Sequence, residues 1–157
     1  MSIERARAYL KQFGAEGRIL EFAVSSATVE LAAEALHTAP ERIAKTLSFQ
    51  AGEDVILIVC AGDAKIDNAK YKAGFHTKAK MLPGNEVEEK TGHAVGGVCP
   101  FGIREGVKVY LDESLKRFET VFPACGNASS AIEVSLEELE RFAAPQGWVD
   151  VCRIPEA

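Results

Sequence analysis

Apolar residues recur along this chain with two periods, and the switches between them divide it into short elements. Ile3, Ala6, Leu10 and Phe13 fall on one face of a helix predicted over residues 3–13, closed by Gly14 and Gly17. A strand over 19–24 follows. A second helix spans about 28–36, with Val29, Ala32, Ala35 and Leu36 facing inward and Ser25 or Ser26 as its cap. Pro40 opens a single helical turn that feeds an alternating run from Ile43 to Phe49. Ala51-Gly52-Glu53-Asp54 is a hairpin signal, and the unbroken apolar run 55–60 predicts a strand buried on both faces. Short helices are expected at 67–73 and 85–90, and strands at 107–111, 118–122 and 131–134, with a helical turn at 113–116. Ser135 and Glu138 form a capping box for a last helix that buries Leu136, Leu139, Phe142 and Ala143, and 148–152 reads as an edge strand. Strands outnumber helices and hairpin signals recur, which makes this an α/β or α+β domain. With 157 residues and no repeat, low-complexity tract or long linker, the simplest organisation is one domain, 1–157.

Two places break the pattern. Lys45 shares strand parity with Ile43, Leu47 and Phe49, so it points to the apolar side while Thr46 and Ser48 point away. A lysine on a core face is costly unless it snorkels, pairs or lines a polar pocket. If its charge is unpaired, Lys45→Ala leaves stability level or raises it. The second place is Gly96-Gly97-Val98-Cys99-Pro100-Phe101-Gly102, which cannot be mid-helix or central strand. Gly96 and Gly97 reach backbone angles closed to other residues and let a ligand approach the main chain. A tight turn between strands and a backbone cradle for a small polar ligand are both open readings of this loop.

Composition narrows the choices further. The formal net charge of −5 argues against a general nucleic-acid coat protein or a DNA partner. Charge is uneven, however: five lysines (Lys65, Lys70, Lys72, Lys78, Lys80) stand against two aspartates between Asp63 and Lys80, a candidate phosphate footprint or simply a solvated face. No apolar run approaches the roughly 20 residues of a membrane span. The first residues read as an amphipathic helix and not as a signal peptide, so Cys60, Cys99, Cys125 and Cys152 are expected as reduced thiols in a cytoplasm. His37, His76 and His93 share no close spacing with a cysteine, and neither a metal site nor a cofactor is expected. Nucleophile-elbow, phosphate-loop and zinc-protease signatures are missing. Cys99 inside the loop and the nearby His93 are the candidate nucleophile and base, set against a small apolar loop residue and a histidine bonded to backbone.

Taken in order, Ala27-Thr28-Val29-Glu30, Pro40 to Leu47, Cys60-Ala61-Gly62-Asp63, Thr91-Gly92-His93, the Gly96 to Pro100 loop, Val109 to Leu115 and Cys125-Gly126-Asn127 resemble the YbaK-type aminoacyl-tRNA deacylases, relatives of the editing insertion domain of bacterial prolyl-tRNA synthetase. The resemblance runs from about Thr28 to Trp148, and Lys45 and the Gly-x-x-x-Pro loop match the family's two hallmarks. It implies a largely antiparallel, barrel-like sheet surrounded by short helices. It also implies hydrolysis of mischarged tRNA, most simply tRNA for proline carrying alanine, cysteine, serine, threonine or 2-aminobutyrate. On this resemblance water would attack the ester with no protein nucleophile, and Lys45 and the loop Gly96, Gly97, Val98, Cys99 and Pro100 would carry the chemistry. It further implies that Thr28, Thr46, Asp63, His93, Gly126 and Asn127 adjoin the substrate and that the five lysines contact tRNA. Asn127 stands where many members carry another residue, which leaves substrate choice open. Prolyl-tRNA synthetase is a further partner it allows. The alternative is a non-catalytic tRNA- or synthetase-binding module with the same pocket, or a small-molecule binder using the loop for a carboxylate.

Overall fold

The hairpin at Gly52 is the organising element. In the computed structural model, which describes residues 2–25 and 28–155, a two-residue turn with Gly52 at φ 63° joins two long strands. That positive φ at the first turn position suits glycine. The elements in chain order are α1 (Ser2–Lys11), β1 (Leu20–Glu21), α2 (Val29–Leu36), β2 (Ile43–Ala51), β3 (Asp54–Ala61), β4 (Lys65–Ile66), α3 (Asn68–Phe75), α4 (Gly84–Thr91), β5 (Lys108–Asp112), β6 (Thr120–Pro123), β7 (Ser130–Ala131), β8 (Val134–Ser135), α5 (Leu136–Ala143), β9 (Gly147–Val149) and β10 (Cys152–Arg153). Six strands form one curled, half-barrel sheet in the order β8-β6-β2-β3-β5-β9. Two small ribbons, β1-β7 and β10-β4, lie beside it.

The sheet is mixed. Its longest ladder, β2–β3, is antiparallel from Ala44↔Ala61 to Ala51↔Asp54. By contrast β2–β6, β3–β5 and β5–β9 run parallel, pairings that the local pattern did not contain. As the apolar run predicts, β3 is central: Ile56 to Ala61 are all buried. The continuous strand expected over 148–152 divides instead between β9 at the sheet edge and β10 beside β4. The strand expected over 19–24 shortens to β1. A backbone N–H donated by Phe22 to the Ser129 carbonyl (2.8 Å) continues that contact.

The caps follow local chemistry. Ser135 and Glu138 close a reciprocal capping box at the start of α5. Glu138 also receives the Arg18 guanidinium at 2.6 and 3.1 Å, which holds its carboxyl down at about 2. The cap of α2 is a correction: Thr28 accepts from the Leu31 N–H at 3.1 Å, in place of Ser25. Ser26 and Ala27 lie outside the described residues.

Candidate functional site

The edge of β2 changes partner along its length, and the site lies in the gap. Its first two residues pair with β6, at Ile43↔Phe122 and Ala44↔Pro123. Farther on, the Ser48 carbonyl accepts from Leu82 N–H (3.1 Å) and Gln50 N–H donates to the Lys80 carbonyl (2.8 Å). Backbone groups of a strand face alternate sides. The same side that Ser48 and Gln50 offer to residues 80–82 is therefore offered by Thr46 to the gap. A cavity of about 360 Å³ fills this gap. Its walls are the β2 edge from Ile43 to Ser48, the start of α2 (Thr28, Val29, Ala32), α4 (Gly84, Val87), the glycine loop (Val95, Gly96, Val98), and Phe122, Ala124, Ser130 and Ala131. Because the cavity borders the strand edge, residues of both parities reach it. Thr46 and Ser48 were expected to point away, yet they line it beside Lys45 and Leu47.

Lys45 is held, not loose. Its ammonium donates to the Ala64 carbonyl at 2.5 Å and to the Gly62 carbonyl at 3.3 Å. An ammonium has three donors, and these two bonds are the ones it makes among the described residues. Behind this loop Arg117 grips Asp63 with two nitrogens, at 2.5 and 3.0 Å, and keeps its carboxyl below the usual carboxylate range, with Lys45 a lesser contributor. Asp63 is thus committed to Arg117 and does not line the cavity. Gly62 adds a steric clamp: a Cβ there would lie 2.1 Å from the Pro40 carbonyl oxygen.

The glycine loop divides its work. Gly96, at φ 90°, and Val98 face the cavity. Gly97 does not. A Cβ on it would lie 2.4–2.6 Å from the backbone of Gly126 and Asn127. The close approach that this glycine permits is to the protein's own chain. Gly126 and Asn127 back the loop without lining the cavity, and Pro100 is buried away from it. Asn127 Oδ1 accepts from Ser129 N–H at 3.0 Å.

Cys99 and His93 brace the loop from within the core. Both are fully buried, and neither lines the cavity. His93 Nε2 lies 2.6 Å from the Phe101 carbonyl and 3.5 Å from Cys99 Sγ. A carbonyl only accepts, so Nε2 carries the proton and Nδ1 is bare. Burial holds the imidazole below its ordinary pKa, opposed by the bond to Phe101. Burial also pushes the Cys99 thiol up to about 12. A thiol so placed is neither a nucleophile nor a ready target. Iodoacetamide at neutral pH is therefore expected to spare Cys99 in the native protein and to modify it after unfolding, as peptide mass mapping would show. Cys99→Ser is expected to keep the native fold, since a hydroxyl there can still donate to the Phe101 carbonyl as the thiol does. Rapid native alkylation at Cys99 would contradict this placement.

The five lysines of the basic segment are all exposed, while Ala64 and Tyr71 between them are buried. Lys70 bonds Asp150 and the Cys152 carbonyl, each at 3.1 Å. Lys72 and Lys78 border a second cavity with Asn68, Ala69 and Ala79. Lys65 sits on β4, and Lys80 directly precedes Met81, a cavity residue. Among the described residues no helix is long and apolar enough to cross a membrane.

The site brings together Thr28, Lys45, Thr46, Gly96 and Val98 of the expected set. Sequence reasoning missed Ser130, although it shares strand parity with the buried Ile132 and Val134. Nothing local marks Met81, Leu82 or Phe122, which arrive from distant segments.

Residues 24–142 match the sequence model of the aminoacyl-tRNA editing domain. The YwhH protein of Bacillus subtilis (strain 168) is 54% identical over 154 residues, covering 98% of each chain. EbsC of Enterococcus faecalis, provisionally named a Cys-tRNA(Pro)/Cys-tRNA(Cys) deacylase, is 29% identical over 71% of this chain and 70% of its own. A crystal structure described as a candidate trans-editing enzyme for prolyl-tRNA synthetase superposes with a TM-score of 0.87 at 27% identity, covering 97% of both chains.

Proposed function

This chain belongs to the aminoacyl-tRNA editing family and is an aminoacyl-tRNA deacylase, and on that basis we propose that it clears tRNA for proline of small wrong amino acids in the cytoplasm. The candidate acyl groups are alanine, cysteine, serine, threonine and 2-aminobutyrate. The observation that carries the reading is Lys45, fixed by two carbonyls at the wall of a largely apolar cavity.

The chemistry follows from what the cavity holds. The aminoacyl ester is already activated, and water can attack it. What the protein must add is orientation and a fixed positive group where negative charge develops. Lys45 supplies that charge for the ester oxygen or the terminal phosphate as a compact point. Gly96 and Val98 form part of the same cavity's wall. Cys99 and His93, buried behind the loop, take no covalent or proton-transfer part. A cavity of about 360 Å³ suits a small aminoacyl group. A pocket separates one methylene by only about 1–3 kcal/mol, so a second, hydrolytic check on small errors has a physical purpose. The exposed Lys72, Lys78 and Lys80, the last adjoining the cavity residue Met81 in the chain, support a contact with tRNA phosphates.

The test is a panel of tRNAs charged with alanine, cysteine, serine, threonine, 2-aminobutyrate or proline, with release of each amino acid followed over time. Release of a small wrong amino acid from tRNA for proline, with prolyl-tRNA spared, is the expected result. Tight binding without release of any would favour a non-catalytic module.

A further inference from the structure

Two residues of the cavity wall carry buried hydroxyls with no partner among the described residues. Thr46 Oγ1 and Ser130 Oγ are both buried and make no hydrogen bond among the described residues, and both residues line the cavity. Ser130 is 1% exposed. Most of the wall around them is apolar, including Val29, Ile43, Leu47, Val87 and Phe122. A buried hydroxyl left unmade costs about 1–3 kcal/mol, and native proteins leave few of them. The pair also comes from separate elements. Thr46 stands on the open edge of β2. Ser130 begins β7, which returns beside the end of β6, where Ile132 N–H meets the Pro123 carbonyl at 3.0 Å. Pro123 is the residue that β6 sets opposite Ala44. Two segments far apart in sequence thus bring to the wall of one chamber a residue each whose hydroxyl is buried without a partner among the described residues.

A purely apolar acyl side chain would leave both hydroxyls unmade. A hydroxyl-bearing one would complete them, because each partner can donate or accept. From this we infer that Thr46 and Ser130 are specificity-determining residues that select an aminoacyl group with a side-chain hydroxyl, of the serine and threonine class. The inference rests on the deacylase reading above and narrows it. A site built to hydrogen-bond a substrate hydroxyl discriminates far more strongly than an apolar pocket can discriminate against an added one.

Serine and 2-aminobutyrate make the informative pair, since the side chains differ by a hydroxyl in place of a methyl. The experiment measures kcat/KM on tRNA for proline charged with each, in the native protein, Thr46→Val, Thr46→Ser, Ser130→Ala and the double variant Thr46→Val/Ser130→Ala. The native protein is expected to prefer seryl-tRNA. Thr46→Val and Ser130→Ala are each expected to lower the serine to 2-aminobutyrate ratio at least about tenfold, the scale of one hydrogen bond to a buried polar group. Thr46→Ser keeps the ratio, and the double variant reverses it. Melting temperatures of Thr46→Val and Ser130→Ala should hold or rise, since an unmade hydroxyl is removed. An unchanged ratio in the double variant overturns the inference while deacylation itself stands. An equal fall on both substrates also overturns it, because it would mark the hydroxyls as general positioning groups. Absence of release from any charged tRNA by the native protein would instead sink the deacylase reading, and this inference with it.

Discussion

Lys45→Ala is expected to lower deacylation of the best substrate by at least about 100-fold, the scale of losing one preorganised group that stabilises developing negative charge. Substrate binding should change less than turnover. Lys45→Arg is expected to be poor as well. Its planar fork needs a wider and differently angled set of partners than the Gly62 and Ala64 carbonyls provide. The structure changes the companion expectation for stability. An unpaired lysine on a core face would be better removed, but this ammonium satisfies two backbone carbonyls. Removing it leaves both short of a donor, at a cost of about 1–2 kcal/mol. Lys45→Ala should therefore melt below the native protein, not level with it or above. Charged-tRNA hydrolysis and thermal melting on the same preparations check both halves. Native-like hydrolysis by Lys45→Ala would remove the central residue of the mechanism and move the binding-module reading ahead.

Gly97→Val is expected to abolish hydrolysis, and Gly97→Ala to impair it severely. Any Cβ at this position would overlap the Gly126–Asn127 backbone at 2.4–2.6 Å. Backbone cannot swing aside as a side-chain tip can, so the two segments must separate. Overpacking of this kind typically costs about 1–3 kcal/mol. The displacement would carry Gly96 and Val98 off the cavity wall, so activity should fall further than stability. A cooperative melt at reduced temperature together with lost turnover is the expected pair of results. Full activity in Gly97→Val would show that loop position does not matter to the reaction.

The sequence alone was enough to specify much of the local structure, wherever the determining chemistry lies within a few residues. The capping box at Ser135 and Glu138, the hairpin at Gly52 and the doubly buried β3 all follow from short-range patterns. So does the singling out of Lys45, because a charge on an apolar parity is visible in seven residues. The order and spacing of the lysine strand and the glycine loop likewise carried the family resemblance.

What the tertiary structure decided is everything that depends on segments meeting. The parallel pairings of β6 and β5 with the central hairpin have no local signature, since their partners lie dozens of residues away. The β2–β6 pairing stops at Ala44, which leaves the β2 edge open at Thr46 and so creates the cavity. Parity placed Thr46 and Ser48 outside the site. The gap at the strand edge brought them into it, because an edge exposes backbone and both faces at once. The role of Gly97 was settled by the chain packed against it. The burial of Cys99 and His93 was settled by the depth of the core behind the loop. Lys45 could be recognised from the sequence as an anomaly. Only the folded chain, by bringing the Gly62 and Ala64 carbonyls to its ammonium, shows that the charge is held in place.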